Sequence, residues 1–470
     1  MSPALVPDAI DRFGQRIAER ASPMVVKEVR QGLRTRSFWV FFTLLLVACM
    51  VGALIAFAAS TTDEVGGSAF IAFFGILSVV QFFVIPFTAY RSMAREQDDE
   101  TWVLLTLTGM GPRRVIFGKI SSFVLQGGLY ACAAAPFLLF SYFLNGISLP
   151  AILVAMAFAG VYQVFLVSIA VSLATAAHTK LMRSLLLFAV LAILLLGLMM
   201  GIGAGVGLAE LFRHDSLTFD VVFAGGCVLF AMLSTAVLLF ESAAAGLSLS
   251  TESYSRGPRI AFLVQIIGAT VLFAIGSRVM HASQALPVGA VLISAYAVTI
   301  GAYLAADLDG LARILEHTRG SVFSPGAYRA FILVSAAMLL CNGLLFGVGY
   351  SVDAPNKDLL IIAAAPAFAL FYLSLPQLLG RWLPRGATAP NVTVRIVHLL
   401  LLLTGCGLPP LIGALFSEPS EEWLNVLNPV LGLANLSKHG DNTAIELLII
   451  WGAAIVTSVA ALGILKRNDR

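Results

Sequence analysis

Charge is what this sequence has least of. Only 12% of its 470 residues are Asp, Glu, Lys or Arg, about half the share of an ordinary soluble domain. Hydrophobic residues make up 59%. A soluble core cannot bury that much apolar surface, so the natural solvent is a bilayer. The net charge of +3 is small, and no Lys/Arg cluster is interleaved with aromatics, which excludes nucleic acid as a partner. Cysteine is scarce as well. Cys49, Cys132, Cys227, Cys341 and Cys406 all lie inside apolar runs with no Cys-x-x-Cys or Cys/His spacing. Neither a disulfide framework nor a metal site is expected, and the thiols read as small buried hydrophobes.

Catalytic signatures are missing too. The string nearest to a phosphate loop, Phe117-Gly118-Lys119-Ile120, lacks both the leading Gly and the Ser/Thr. The chain is therefore expected not to hydrolyse ATP, to need no cofactor of its own and not to be an enzyme. His178, His214, His281, His317, His398 and His439 are scattered over loops and span ends, with no Ser/His/Asp or His/Glu cluster. Charge is absent from mid-membrane depth: Asp220, Glu241 and Asp307 fall near span ends, while Gln81, Gln163, Gln265 and Asn342 are neutral. Ion-coupled transporters rely on intramembrane ionisable groups. That absence, and the lack of a G-x-x-x-D-R-x-G-R-R loop, argue against an ion-coupled secondary transporter. A membrane enzyme of lipid or polysaccharide metabolism would show acidic or His clusters at one membrane face, and none is evident.

What the sequence has is apolar runs. A membrane helix takes about 20 mostly apolar residues. Twelve stretches qualify: 38–60, 67–90, 116–144, 149–176, 184–209, 219–245, 260–280, 286–306, 329–350, 359–380, 395–416 and 444–465. The polar, basic lead-in over 1–37 and the lack of an A-x-A exit after the first run make that run an anchor, not a cleaved signal peptide. With the N-terminus in the cytoplasm and strict alternation, 25 of the 29 Lys and Arg fall on the inner side; Arg213, Arg278, Lys357 and Lys438 are the outer four. The positive-inside rule then predicts a multi-pass protein with both termini cytoplasmic; a bacterial-type cytoplasmic membrane is the expected location. Long inner loops at 91–115 and 307–328 follow the second and eighth spans. This divides the chain into a lead-in (1–37), a first six-span half (38–250) and a second (251–470), a plan common among transporters. The expected fold is an all-α polytopic membrane protein.

Three loops carry chemistry. SPMVVKEVRQGLRTRSF (22–38) reads as a helix capped by Ser22 with Pro23 in first position. Val25, Val26, Val29 and Leu33 form one face and Lys27, Arg30 and Arg34 the other, suited to lying on an anionic bilayer surface. REQDDETWVLLTLTGMGPRRVIFGKI (95–120) sets four acids around Gln97. A short helix with Trp102, Leu104 and Leu105 against the membrane follows, then a break at Gly109, Gly111 and Pro112, then the Arg113–Arg114 pair. Leu308, Leu311, Ile314 and Leu315 in the second inner loop space as an amphipathic helix. The outer loop 417–443 carries Trp423, Leu424, Leu427, Val430, Leu431 and Leu433 broken by Pro429 and Gly432. It reads as short interfacial or re-entrant helices, or as a partly folded loop.

Over about the first 250 residues this arrangement resembles the permease subunits of export-type ABC transporters. They carry a pattern close to R-E-x-E-x-G-T-L-E-L-L-L-x-x-P-x-x-R-x-x-I-x-x-G-K between their second and third spans. Arg95, Glu96, Asp98, Thr101, Leu104, Leu105, Arg113, Ile116, Gly118 and Lys119 match it; Glu100 stands where Gly is usual, Val103 where Glu is usual, and Pro112 falls late. VVKEVRQGLRTRSFW looks like the elbow helix that precedes the first span in that family. The resemblance implies that the loop docks on a separate ATP-binding cassette ATPase subunit through Arg95, Glu96, Asp98, Asp99, Glu100, Thr101 and Arg113. ATP and Mg would then sit on that partner, and the elbow helix would contact the lipid bilayer through Lys27, Arg30 and Arg34. The 307–328 loop lacks the pattern and reads equally as a second coupling helix or a plain surface helix. One chain supplying both halves and two chains pairing are both compatible with the sequence. It names no substrate.

Overall fold

The computed structural model describes residues 23–59, 65–98, 111–145, 147–176, 180–213, 218–248, 255–280, 284–305, 322–382, 390–415, 426–436 and 443–468. Among them there is no strand. Twelve helices are long and apolar enough to cross a membrane, which makes the chain an all-α, multi-pass membrane protein. They run Arg36–Ala59, Gly66–Gln97, Pro112–Phe143, Leu149–Thr175, Met182–Phe212, Phe219–Gly246, Arg256–Val279, Ala285–Ala305, Ala327–Ser351, Asn356–Gly380, Thr393–Ile412 and Ala444–Lys466. Their outward surfaces are apolar, as on the first span, where Trp39, Val40, Leu44 and Val47 are exposed. Helices suit this solvent because every backbone N–H and C=O is paired within the segment.

The helix ends correct the sequence reading in two places. The second span does not stop at 90. Its helix continues to Asp98, so Arg95–Asp98 form its last turn; the short helix read around Trp102, Leu104 and Leu105 lies outside the described residues. The lead-in is not one helix over 22–38. It runs Pro23–Leu33 and breaks where Thr35 Oγ1 donates to Gly32 O at 2.7 Å and accepts from Phe38 N at 3.4 Å. That hydroxyl ends one helix and caps the next.

The chain forms two compact units, the first ending at Ser248 and the second beginning at Leu249. Each has its own hydrophobic core, around Phe73, Phe74, Phe82 and Leu166 in the first and Phe331, Met338, Phe368 and Leu373 in the second. The two units share a packing scheme. In the first, span one packs on two and three; two on three, four and five; three on four and six; four on five and six. In the second unit, spans seven to twelve pack in the same pairs in the same order.

A local irregularity recurs as well. The second span widens into a π-helical turn at Val79–Val84, and the eighth, its counterpart, does so at Ala297–Gly301. π-Turns occupy well under ~1% of residues and concentrate at functional sites. Their appearance in the same helix of both units, with the shared packing scheme, marks the units as structural repeats. Each π-turn lies beside a polar tether. Gln81 Nε2 donates to Gly127 O of the third span at 3.2 Å. Tyr296 OH donates to Gln265 Oε1 of the seventh.

Candidate functional site

The feature of the first unit that costs most to build is Lys119, in the second turn of the third span. Its side chain is 0% exposed. An isolated buried ammonium is penalised by several kcal/mol, so the site must supply compensation. It does so with all three N–H donors. Nζ lies 2.5 Å from Glu96 Oε1 and 3.3 Å from Ser92 Oγ, both on the second span, and 3.2 Å from Glu28 Oε2 on the N-terminal helix. One lysine thus clips three elements together. Two carboxylates against one ammonium leave the cluster with one formal negative charge.

Two glycines permit this approach. A Cβ on Gly118 would stand 2.7 Å from Met24 Cγ, and one on Gly32 would stand 2.3 Å from Gln126 Nε2. Without side chains there, the N-terminal helix lies close against the third span, as small residues allow between membrane helices.

The last turns of the second span form a wider hub. Tyr90 OH donates to Arg183 O at the start of the fifth span, 3.2 Å away. Gln97 Nε2 donates to Thr175 O at the end of the fourth, 3.3 Å away. Together with Ser92 and Glu96, the helix end preceding the acidic loop holds the third, fourth and fifth spans, and through Lys119 it is linked to the N-terminal helix. Arg113, in the first turn of the third span, extends the set. Its Nε and Nη2 both reach Glu241 Oε2 of the sixth span, at 3.0 and 2.8 Å.

The positions singled out from sequence separate accordingly. Glu96 turns into the protein toward Lys119. Arg95 is exposed, and Arg113 is spoken for in part by Glu241. Asp98 closes the helix, and Asp99, Glu100 and Thr101 lie outside the described residues. Lys27 and Arg30 on the N-terminal helix and Arg34 in the turn after it are exposed. The packed stripe of that helix is Met24 and Glu28, both buried, whereas Val25, Val26, Val29 and Leu33 are half-buried. Glu28 and Ser92 were missed by sequence reasoning. The available signal was the four-residue spacing Met24–Glu28 and Ser92–Glu96, which puts each pair on one face.

In the second unit the comparable place is held by Arg259 at the start of the seventh span, 1% exposed. Its Nη1 donates to Val322 O at 3.0 Å and to Ser324 O, and its Nη2 to Gly326 O at 3.2 Å. Ser255 Oγ adds a bond to Phe323 O at 3.3 Å. The guanidinium fork thus fixes the segment entering the ninth span. The amphipathic stretch read over 308–315 lies outside the described residues. In the outer loop a short helix, Leu431–Leu436, is present. Asn428 Oδ1 caps it by accepting from Val430 N and Leu431 N at 2.9 and 3.0 Å.

No group of three or more His, Cys, Asp or Glu able to hold a metal occurs among the described residues. No protein-family model, curated protein or solved structure matches the chain. The fold and site therefore define the class by themselves: a multi-pass membrane protein of transporter-like build, in two six-helix repeats.

Proposed function

We propose that this chain is the membrane-spanning subunit of an exporter driven by a separate ATP-binding cassette ATPase, which docks on the acidic inner loop after the second span. The observation that carries this reading is the hub at 90–98. A pull on the loop acts directly on the helix end that holds three further spans and, through Lys119, the N-terminal helix. Loop acids fit a docking surface, because charged groups give a polar face when apart and directed pairs when joined. Glu96 belongs to the interior clip, which leaves Asp98, Asp99 and Glu100 as the docking acids. The two repeats supply the two six-helix halves that such an exporter needs, so one chain suffices. The Lys/Arg bias puts the loop on the cytoplasmic side, where ATP is available.

The test is purification of the full-length chain from native membranes, with mass spectrometry of what accompanies it. A protein with a G-x-x-x-x-G-K-[ST] loop is expected at a fixed ratio, and to be lost in the Asp99→Lys/Glu100→Lys variant. Its absence from the wild-type preparation, or full retention by the variant, contradicts the proposal.

A further inference from the structure

The N-terminal helix carries a second site, on the side away from the Lys119 clip. Lys27 and Arg30, three residues apart, share one face of the helix, and Arg34 in the turn that follows lies beside them. With Val26, Gln31 and Thr35 they line a basin of about 530 Å³ that opens to the outside. Among the described residues its lining holds three cations and no carboxylate; the acid of this helix, Glu28, is turned inward to Lys119. The volume lies within the ~300–1,000 Å³ of small-ligand pockets.

What borders the basin identifies the ligand. The first span begins directly after it, and its exposed face is apolar: Trp39 is 58% exposed, Val40 62% and Leu44 59%. Trp39 Nε1 donates to Leu33 O, the last residue of the N-terminal helix, at 3.0 Å. An indole bonded at its polar end and more than half exposed, with one side against Phe38 and Phe42, is the pattern of a membrane–water boundary. A soluble anion or an acidic peptide would use the cations and have no use for the apolar wall. A phospholipid uses both.

We propose that this basin is a binding site for an anionic phospholipid of the adjoining leaflet. Its phosphate sits among Lys27, Arg30 and Arg34, and its acyl chains run along Trp39, Val40 and Leu44. The site does not depend on the ATPase reading and holds whatever the transported substrate is.

The probe is quenching of Trp39 by brominated phosphatidylglycerol or brominated phosphatidylcholine. The full-length chain is placed in phosphatidylcholine nanodiscs, and subtraction of the Trp39→Phe variant isolates the one indole. Brominated phosphatidylglycerol is expected to quench at much lower mole fraction than brominated phosphatidylcholine. Each of Lys27→Gln, Arg30→Gln and Arg34→Gln should lower that preference about fivefold, and the triple variant should bring the two lipids to parity. Unchanged quenching by the phosphatidylcholine probe shows that the triple variant is folded and inserted. Arg114→Gln, which removes an exposed cation of the third span, should leave the preference intact. Equal quenching by both lipids in the wild type overturns the site. So does a loss with Arg114→Gln as large as with the basin residues, which would mean diffuse attraction. Displacement of the lipid by inorganic phosphate or by oligoglutamate would reassign the basin to a free anion or to a protein partner, and equally overturns it.

Discussion

The two repeats pack their spans in the same scheme, yet fasten the helix ends beside their inner loops with different chemistry. In the first unit the fastener is an ion cluster. Lys119 is fully buried between Glu28 and Glu96, and its partners come from two separate elements. In the second unit it is a neutral clasp. Arg259 grips backbone carbonyls of Val322, Ser324 and Gly326, all within one short segment. A carbonyl clasp fixes a loop in place. An ion cluster spanning three elements does something else: it makes the positions of the N-terminal helix, the second span and the third span depend on one another. Under the proposed function, coupling falls to the first unit, whose helix ends depend on one another, and not to the second.

The sharpest way to break this comparison is Lys119→Met. It leaves two carboxylates facing each other, Glu28 in a buried position and Glu96 partly exposed, and loss of one partner of a buried pair costs about 3–5 kcal/mol. A large drop in the thermal unfolding temperature of the purified chain is expected, with most of it recovered in the Lys119→Met/Glu28→Gln/Glu96→Gln variant, which carries no charge there. Arg259→Lys in the second unit should cost less, about 2 kcal/mol, because a single ammonium cannot span three carbonyls as the planar fork does. Protease sensitivity should then rise near 322–326 and stay unchanged at the N-terminal helix. Gly326 has φ 134° and ψ 134°, a region reserved for glycine. Gly326→Ala should therefore cost about 1–2 kcal/mol by the same unfolding measurement. Arg113→Ala is the mildest. Arg113 is 49% exposed in its pair with Glu241, and such pairs contribute at most about 1 kcal/mol.

Much of the architecture is legible in the sequence. Runs of about 20 apolar residues identify membrane helices wherever they occur, and all twelve stretches correspond to helices. The ends are legible only in part. Arg91–Asp98 reads as loop by hydropathy, because hydropathy assigns charged groups to water; here Glu96 and Ser92 are satisfied by Lys119 instead, and the helix runs on. The same assumption hid Glu28, since an amphipathic reading turns every charge of the N-terminal helix outward. The π-turns at Val79–Val84 and Ala297–Gly301 leave no periodic trace, because one extra residue inside a continuous apolar run changes neither composition nor length. Lys119 was visible as a motif position. Its burial was not, since that depends on three elements meeting.

The proposed function requires that an ATPase take hold at the loop leaving the 90–98 hub. A photo-crosslinking amino acid in place of Glu100, irradiated in native membranes, tests this most directly. An adduct between the chain and a protein carrying an ATP-binding cassette is the predicted result. An inserted chain that gives no such adduct at Glu100, while the ATPase is present in the same membranes, contradicts it.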